Sequence, residues 1–101
     1  MITKNEIKEQ LKNIRIFSLN KKFFVSSSDY FNTIINKYLT AVKSFENAKI
    51  LLLFETFYLS DNNISSEVLA YDLGVSQKTI YLWNKALINN LEKYFNTYEN
   101  K

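Results

Sequence analysis

Residues 69–83 read LAYDLGVSQKTIYLW, and Gly74 within this stretch is the only glycine of the 101-residue chain. Proline is absent from the sequence. Because residues that break helices are so scarce and alternating apolar patterns are few, the sequence predicts an all-α protein. Gly74 then marks the point where one helix ends and the chain turns sharply into the next.

The residues on either side of Gly74 carry the signals that start helices. Ser65 and Ser76 each precede a helical run, and serine is a preferred N-cap residue. Each serine is flanked by an apolar pair with the spacing of a hydrophobic staple, namely Ile64 with Leu69 and Val75 with Ile80. The sequence therefore predicts a short helix over about 66–73 and a second helix that starts at Gln77.

Together, the two helices and their turn match a helix-turn-helix unit. Ala70 is a small residue at the expected helix crossing, and Gly74 supplies the left-handed conformation of the turn. Ile80 and Trp83 contribute to the apolar seam between the helices. A purely structural helical hairpin is the alternative. In a DNA-binding unit, the second helix enters the major groove and the first crosses the backbone.

The outward face of the second helix is the candidate DNA-binding surface. With Ile80 facing inward, a rotation of about 100° per residue leaves Asn84 at the margin of the inward face. Gln77 is suited to adenine, and Lys78 to guanine or phosphate. Apolar side chains on this face suit contact with a thymine methyl group, and hydroxyl side chains at the start of the helix suit contact with phosphate. The candidate residues are Ser76, Gln77, Lys78, Thr79, Tyr81, Leu82, Lys85 and Asn89. For each lysine, the alternative is a solvated surface charge.

Capping residues and apolar stripes predict a small bundle of about five helices that ends in the helix-turn-helix. Thr3 and Glu6 form a capping box for a first helix over about 4–16. Ser28 or Asp29 is the expected cap of the second helix. A third helix, over roughly 47–59, is apolar nearly all round, which indicates a central position in the core.

Between the first two helices, Ser18–Ser28 reads as a loop with a short extended piece at Phe23–Val25. Residues 1–101 read as one domain, with an N-terminal helical part over 1–45 and the helix-turn-helix part over 46–101. The last helix continues to about residue 97 with an apolar side. That side either packs within the chain or forms a homodimer interface, and its members are Ile88, Leu91, Tyr94, Phe95 and Tyr98.

Composition limits the classes of function. The chain has no histidine and no cysteine, so it lacks the usual general base, a thiolate nucleophile and the commonest metal ligands. We therefore expect neither an enzyme nor a cofactor, metal or small-molecule site. There is also no long apolar run and the N-terminus is polar, which predicts a cytoplasmic protein without a signal peptide or membrane segment.

Positive charge is concentrated at the N-terminus. Residues 1–22 contain six basic side chains and two acids, whereas the rest of the chain has seven lysines and eight acids. The basic segment reads either as an arm that grips a nucleic-acid backbone or as a solvated helix face. Its basic residues are Lys4, Lys8, Lys12, Arg15, Lys21 and Lys22.

The segment from residue 50 to residue 87, ILLLFETFYLSDNNISSEVLAYDLGVSQKTIYLWNKAL, resembles the C-terminal half of ArpU/RinA-type phage regulators of late transcription. These regulators are similar to the promoter-binding fourth region of sigma factors. The resemblance covers about residues 45–95 and rests on four elements: Phe57–Leu59, the polar connector Ser60–Asn63, Leu73–Ser76 and Thr79–Tyr81. It implies a sequence-specific DNA-binding regulator of phage or mobile-element origin.

Three functions remain open at the level of sequence. The leading one is a transcriptional regulator that binds double-stranded DNA, with a homodimer as a further option because few positive charges lie on the candidate face. The second is an interaction module that docks on RNA polymerase or another regulator. The third is an accessory protein of DNA packaging or recombination that uses the same motif.

Overall fold

A computed structural model describes residues 1–21 and 28–98, and within these ranges the chain forms helices and no strand. The elements are α1 (Lys4–Leu19), α2 (Ser28–Ser44), α3 (Ala48–Leu53) with a π-helical segment (Phe54–Tyr58), α4 (Ser66–Leu73) and α5 (Gln77–Tyr98). The predicted all-α bundle with a C-terminal helix-turn-helix arrangement of helices is confirmed.

The first helix is longer than predicted. Thr3 caps it as expected, since its hydroxyl oxygen accepts the Glu6 N–H at 3.2 Å. The predicted end near residue 16 and the predicted loop from Ser18 are wrong, because α1 continues to Leu19. Phe17 is fully buried and stacks on Phe31 of α2 with ring centroids 4.7 Å apart. This tertiary contact stabilises the last turn of the helix beyond the limit that the sequence indicated.

The start of α2 also differs from the prediction. Both Ser28 and Asp29 already belong to the helix, so neither is the residue that precedes it. The predicted extended piece at Phe23–Val25 lies outside the described residues. Along α2, the buried side chains are Tyr38, Ala41 and Val42, which face the main core.

The third helical segment is central, as its composition predicted, but it is not a single α-helix. Asn47 caps α3 by accepting the N–H groups of Lys49 and Ile50 at 3.1 and 3.2 Å. After Leu53 the chain forms π turns, in which the Leu59 N–H donates to the Phe54 carbonyl at 3.1 Å. The predicted limits are thus confirmed, whereas the helix type of the second half is wrong because apolar periodicity does not distinguish a short π segment.

The core consists of two neighbouring clusters. The larger contains buried residues of α1, α2, α3, the π segment and α5, and the smaller contains Leu53, Leu69, Ala70 and Ile80. Phe57 is partly buried and packs against both clusters. The third segment therefore connects the helix-turn-helix to the rest of the bundle.

Helix α1 runs antiparallel to α5. At its start, the Ile2 N–H donates to Asn96 Oδ1 at 2.9 Å, and Asn96 Nδ2 donates to the Ile2 carbonyl at 3.0 Å. Near its other end, Arg15 donates to the Ile64 carbonyl at 2.5 Å. These contacts fix the basic first helix beside the C-terminal helix.

The C-terminal helix packs chiefly within the chain. Ile88, Leu91 and Phe95 are buried in the larger cluster, and Tyr94 packs against it. Tyr98 is exposed and lies 4.9 Å from Tyr94 between ring centroids. Most of this apolar side therefore packs within the chain. A homodimer remains a prediction, and its interface would not include these buried side chains.

Candidate nucleic-acid interface

The turn between α4 and α5 is a Schellman motif that depends on Gly74. Its φ of 68° and ψ of 32° lie in the left-handed region. The Gly74 N–H donates to the Tyr71 carbonyl at 3.1 Å, and the Val75 N–H donates to the Ala70 carbonyl at 3.0 Å. These bonds satisfy carbonyl groups at the end of α4 and set the direction in which the chain leaves it.

Both predicted serine caps are confirmed. Ser65 Oγ accepts the Val68 N–H at 3.2 Å, and Ser76 Oγ accepts the Thr79 N–H at 3.1 Å. The Ser76 and Thr79 hydroxyl oxygens also lie 3.0 Å apart, within hydrogen-bond distance of each other. The start of α5 is therefore a fixed structure before any ligand arrives.

The helix crossing is made by the predicted motif residues. Ala70 and Ile80 are almost fully buried, and Trp83 packs against the same small cluster. A small side chain at Ala70 allows α4 and α5 to approach closely. Because α4 has only eight residues, it depends on this packing rather than on intrinsic helix stability.

The outward face of α5 is exposed as predicted. Tyr81 is 64% exposed and Leu82 is 50% exposed. Gln77, Lys78, Lys85 and Asn89 are also exposed. Residues on this face can therefore contact another molecule without rearrangement of the core.

Two surface grooves divide the candidate residues. Gln77 and Lys78 line a groove of about 520 Å³ that also includes Ser66 at the start of α4. Lys85 and Asn89 line a second groove, of about 490 Å³, between α5 and α1. Tyr81 lines both grooves, so it lies at the centre of the candidate surface.

Asn84 also lines both grooves, although the sequence placed it only at the margin of the buried face. Its Oδ1 accepts a hydrogen bond from the Tyr58 hydroxyl group of the π segment. Burial raises the pKa of Tyr58 to about 12, against smaller opposing effects of the Asn84 hydrogen bond and of Arg15. The hydroxyl group therefore stays protonated at neutral pH and holds the Asn84 side chain in place.

Helix α1 contributes basic side chains to the groove that it forms with α5, the α1–α5 groove. Lys4, Lys8, Lys12 and Arg15 line it together with Lys85 on the opposite wall. No carboxylate side chain of the described residues lines this groove. The positive charge that the sequence placed at the N-terminus is thus next to the candidate surface of α5.

Arg15 has a structural role within this groove. Besides its bond to the Ile64 carbonyl, its guanidinium carbon lies 3.9 Å from the centroid of the Phe57 ring. Its Nε is buried without a hydrogen-bond partner in the described part of the chain. Arg15 therefore connects α1 to the entry of α4 and differs from the exposed lysines with which the sequence grouped it.

The sequence indicates a basic N-terminal segment but not its location beside α5. The useful signal was the spacing of Lys4, Lys8 and Lys12, which places three cations on successive turns of one helix flank. Glu6 and Glu9 fall on other sides of that helix and do not line the groove. The spacing predicts a basic ridge, whereas only the packing of α1 determines what the ridge faces.

Comparison of the chain with protein-family models, with curated proteins and with solved structures found no match. Among the described residues, no helix combines the length and apolar character that crossing a membrane requires. The same part of the chain holds no group of three or more histidine, cysteine, aspartate or glutamate side chains with the arrangement of a metal site.

Proposed function

We propose that this chain is a sequence-specific DNA-binding regulator of transcription that inserts α5 into the major groove. The observation that carries the proposal is the exposed first half of α5, which follows a glycine turn and a capped helix start. A helix of this diameter fits the major groove, and the residues of its first turns are those that reach base edges in helix-turn-helix proteins. The resemblance to phage late-transcription regulators supports the same function and a mobile-element origin.

The side chains at the start of α5 have the chemistry for base recognition. The Gln77 amide can form paired hydrogen bonds with adenine, and the Lys78 ammonium group can donate to guanine or to phosphate. Tyr81 and Leu82 present exposed apolar surface that suits thymine methyl groups. A good bidentate pair, such as the one between the Gln77 amide and adenine, discriminates against a wrong base by about 1–3 kcal/mol.

Other candidates have positions that suit contacts with the DNA backbone. Ser76 and Thr79 lie at the N-terminus of α5, where N–H groups and the helix dipole favour phosphate. Lys85 and Asn89 lie two and three turns further along, on the side of the α1–α5 groove. Backbone contacts orient the helix, whereas the first-turn residues provide sequence preference.

A selection from a random-sequence DNA library, followed by mobility-shift titration of the selected site, tests the proposal. We expect Lys78→Ala/Lys85→Ala to lose binding at salt concentrations where the wild type binds. Lys43→Ala/Lys49→Ala is the matched control, because it removes two exposed lysines from α2 and α3. Equal binding by the wild type and both variants would contradict the assignment of α5, and failure to select any sequence would contradict the function.

A protein-interaction role is the second candidate, and the exposed face of α4 favours it. Tyr71 is 87% exposed and Val68 is 49% exposed, and Glu67 lies beside them. An apolar and acidic face does not suit a DNA backbone, but it does suit a protein partner such as RNA polymerase. A direct binding measurement with purified polymerase in the absence of DNA tests this role, with Tyr71→Ser expected to weaken binding and Tyr30→Ser as the exposed control.

A further inference from the structure

We infer that the lysines of α1 form a clamp for one strand of the DNA backbone, beside the turns of α5 that follow its base-reading start. The clamp consists of Lys4, Lys8 and Lys12, and its ligands are successive phosphates of that strand. This inference rests on the proposed function. It adds a second helix that contacts DNA, the size of its electrostatic contribution to binding, and the side of α5 on which that contribution acts.

The geometry of α1 produces the clamp. Residues four apart on an α-helix follow one another along its axis at about 6 Å, so the three ammonium groups form a regular row. All three lysines are exposed, and all three line the α1–α5 groove. The acids of α1 lie elsewhere, and Glu6 acts electrostatically on Tyr38 of α2, on the other side of the helix.

The charge of the groove selects a polyanion as the occupant. Lys85 faces the lysine row from the opposite wall, and no carboxylate of the described residues lies between the two walls. A cleft lined by one sign of charge concentrates its field and attracts the opposite charge. A single lysine contributes little, but a row of them matches the repeated charges of a sugar–phosphate strand.

The position of the groove identifies the strand as part of the duplex that α5 reads. Tyr81, Lys85 and Asn89 belong both to the groove and to the candidate surface for DNA. Because α1 is antiparallel to α5, with Ile2 bonded to Asn96, the lysine row runs along the turns of α5 that follow its base-reading start. The lysine row then lies along the edge of the major groove, where the phosphates are.

The contacts at the two ends of α1 hold this row in position. The Asn96 amide fixes the chain at Ile2, and Arg15 is fixed to the Ile64 carbonyl and the Phe57 ring. A row held at both ends binds phosphates with a smaller loss of conformational entropy than a free basic tail. Arg15 itself is a positioning residue and does not belong to the clamp.

The salt dependence of binding tests the inference. Lys8→Gln/Lys12→Gln is compared with Lys43→Gln/Lys49→Gln, which makes the same change of net charge on α2 and α3. Each phosphate contact contributes about 0.9 to the slope of log K against log salt, so the α1 variant should lose roughly 2 from the slope. The ratio of its affinity to that of the wild type should therefore rise roughly tenfold as salt increases from about 50 to about 200 mM.

The preference for the selected sequence over random DNA should stay unchanged in the α1 variant, and circular dichroism verifies its fold. An equal slope for the wild type and the α1 variant overturns the inference alone, provided the wild type prefers its selected sequence. A wild type without any sequence preference overturns the proposed function, and the inference with it. A poly-glutamate peptide provides the alternative outcome. If only the α1 variant loses binding to this peptide, and the slope of log K against log salt for DNA is unchanged, the inference is overturned in favour of an acidic protein ligand.

Discussion

The side-chain amide of Asn96 pairs with the backbone of Ile2, donating to its carbonyl at 3.0 Å and accepting its N–H at 2.9 Å. This pair joins residues 94 positions apart in the sequence and ties the start of α1 to the end of α5. The long basic helix and the candidate recognition helix consequently behave as one unit. The proposed surface for DNA therefore depends on contacts well away from it.

Replacing Asn96 with aspartate should destabilise the protein. The carboxylate can still accept the Ile2 N–H, but it loses the donor to the Ile2 carbonyl and places a negative charge against that oxygen. We expect a loss of about 1–2 kcal/mol in the free energy of unfolding, measured by urea denaturation. Asn36→Asp, at an exposed position of α2, is the control with the same chemical change. Equal stability of the two variants would show that the pair contributes nothing.

The conformation of Gly74 predicts a graded series of substitutions. An added Cβ meets no atom within 4 Å, so the cost of a side chain comes from its φ of 68° and not from a clash. Gly74→Ala should lose about 1 kcal/mol, Gly74→Asn less and Gly74→Val more, because asparagine tolerates this region and β-branched residues do not. Chemical denaturation measures the order. The same stability for asparagine and valine would mean that backbone strain is not the cause.

Loss of DNA binding should accompany loss of stability in Gly74→Val, because the turn directs α5. In contrast, Lys78→Ala should keep the wild-type unfolding midpoint, since Lys78 is exposed. Thermal unfolding and mobility-shift titration on the same preparations separate the two effects. A folded Gly74→Val protein with full affinity for DNA would contradict the role of this turn.

Arg15 should not be replaceable by lysine. A lysine retains the charge but lacks the planar group that lies over the Phe57 ring and donates to the Ile64 carbonyl. We expect Arg15→Lys to lower the free energy of unfolding by about 1–2 kcal/mol. Lys12→Met, on the same helix flank but exposed, should change it by less than about 0.5 kcal/mol. If Arg15→Lys leaves the free energy of unfolding unchanged, only the positive charge of this residue matters, and the contacts of its planar group do not.

Two buried tyrosines predict a loss of stability at alkaline pH. Burial raises the pKa of Tyr38 to about 12, with a smaller effect of Glu6, and burial also raises the pKa of Tyr58 to about 12. Unfolded tyrosine has a pKa of about 10, so the native state binds more protons between these values and its stability falls as pH rises. Below pH of about 10 the contribution is fully present.

Each tyrosine should contribute roughly 1 kcal/mol per pH unit to this loss. Urea denaturation at a series of pH values measures the slope, and Tyr58→Phe should remove about half of the tyrosine contribution, since two groups share it. Tyr30→Phe is the control, because Tyr30 is exposed. An unchanged slope in Tyr58→Phe would contradict the burial of this hydroxyl group as the cause.

Local rules predicted the parts of the molecule that depend on neighbouring residues. The caps at Ser65 and Ser76 and the end of α4 at Gly74 follow from hydrogen bonds and backbone conformation within one turn. The exposed face of α5 follows from helical rotation away from Ile80. These features needed no knowledge of the rest of the chain.

The predictions were wrong where contacts between residues far apart in the sequence determine the structure. The last turn of α1 exists because Phe17 stacks on Phe31, a contact that its local sequence does not indicate. The role of Asn84 depends on the Tyr58 hydroxyl group, which is 26 positions away. A period-based reading also does not recognise the π turns of Phe54–Tyr58.

The sequence by itself determined an all-α chain, a glycine turn between two capped helices and a basic first helix. Tertiary structure alone decided that the lysines of α1 lie along α5, and that Arg15 is committed to the Ile64 carbonyl. The physical reason is that capping, φ and helical periodicity act over a few residues. The relative position of two helices, in contrast, is set by side chains that meet only after the core has formed.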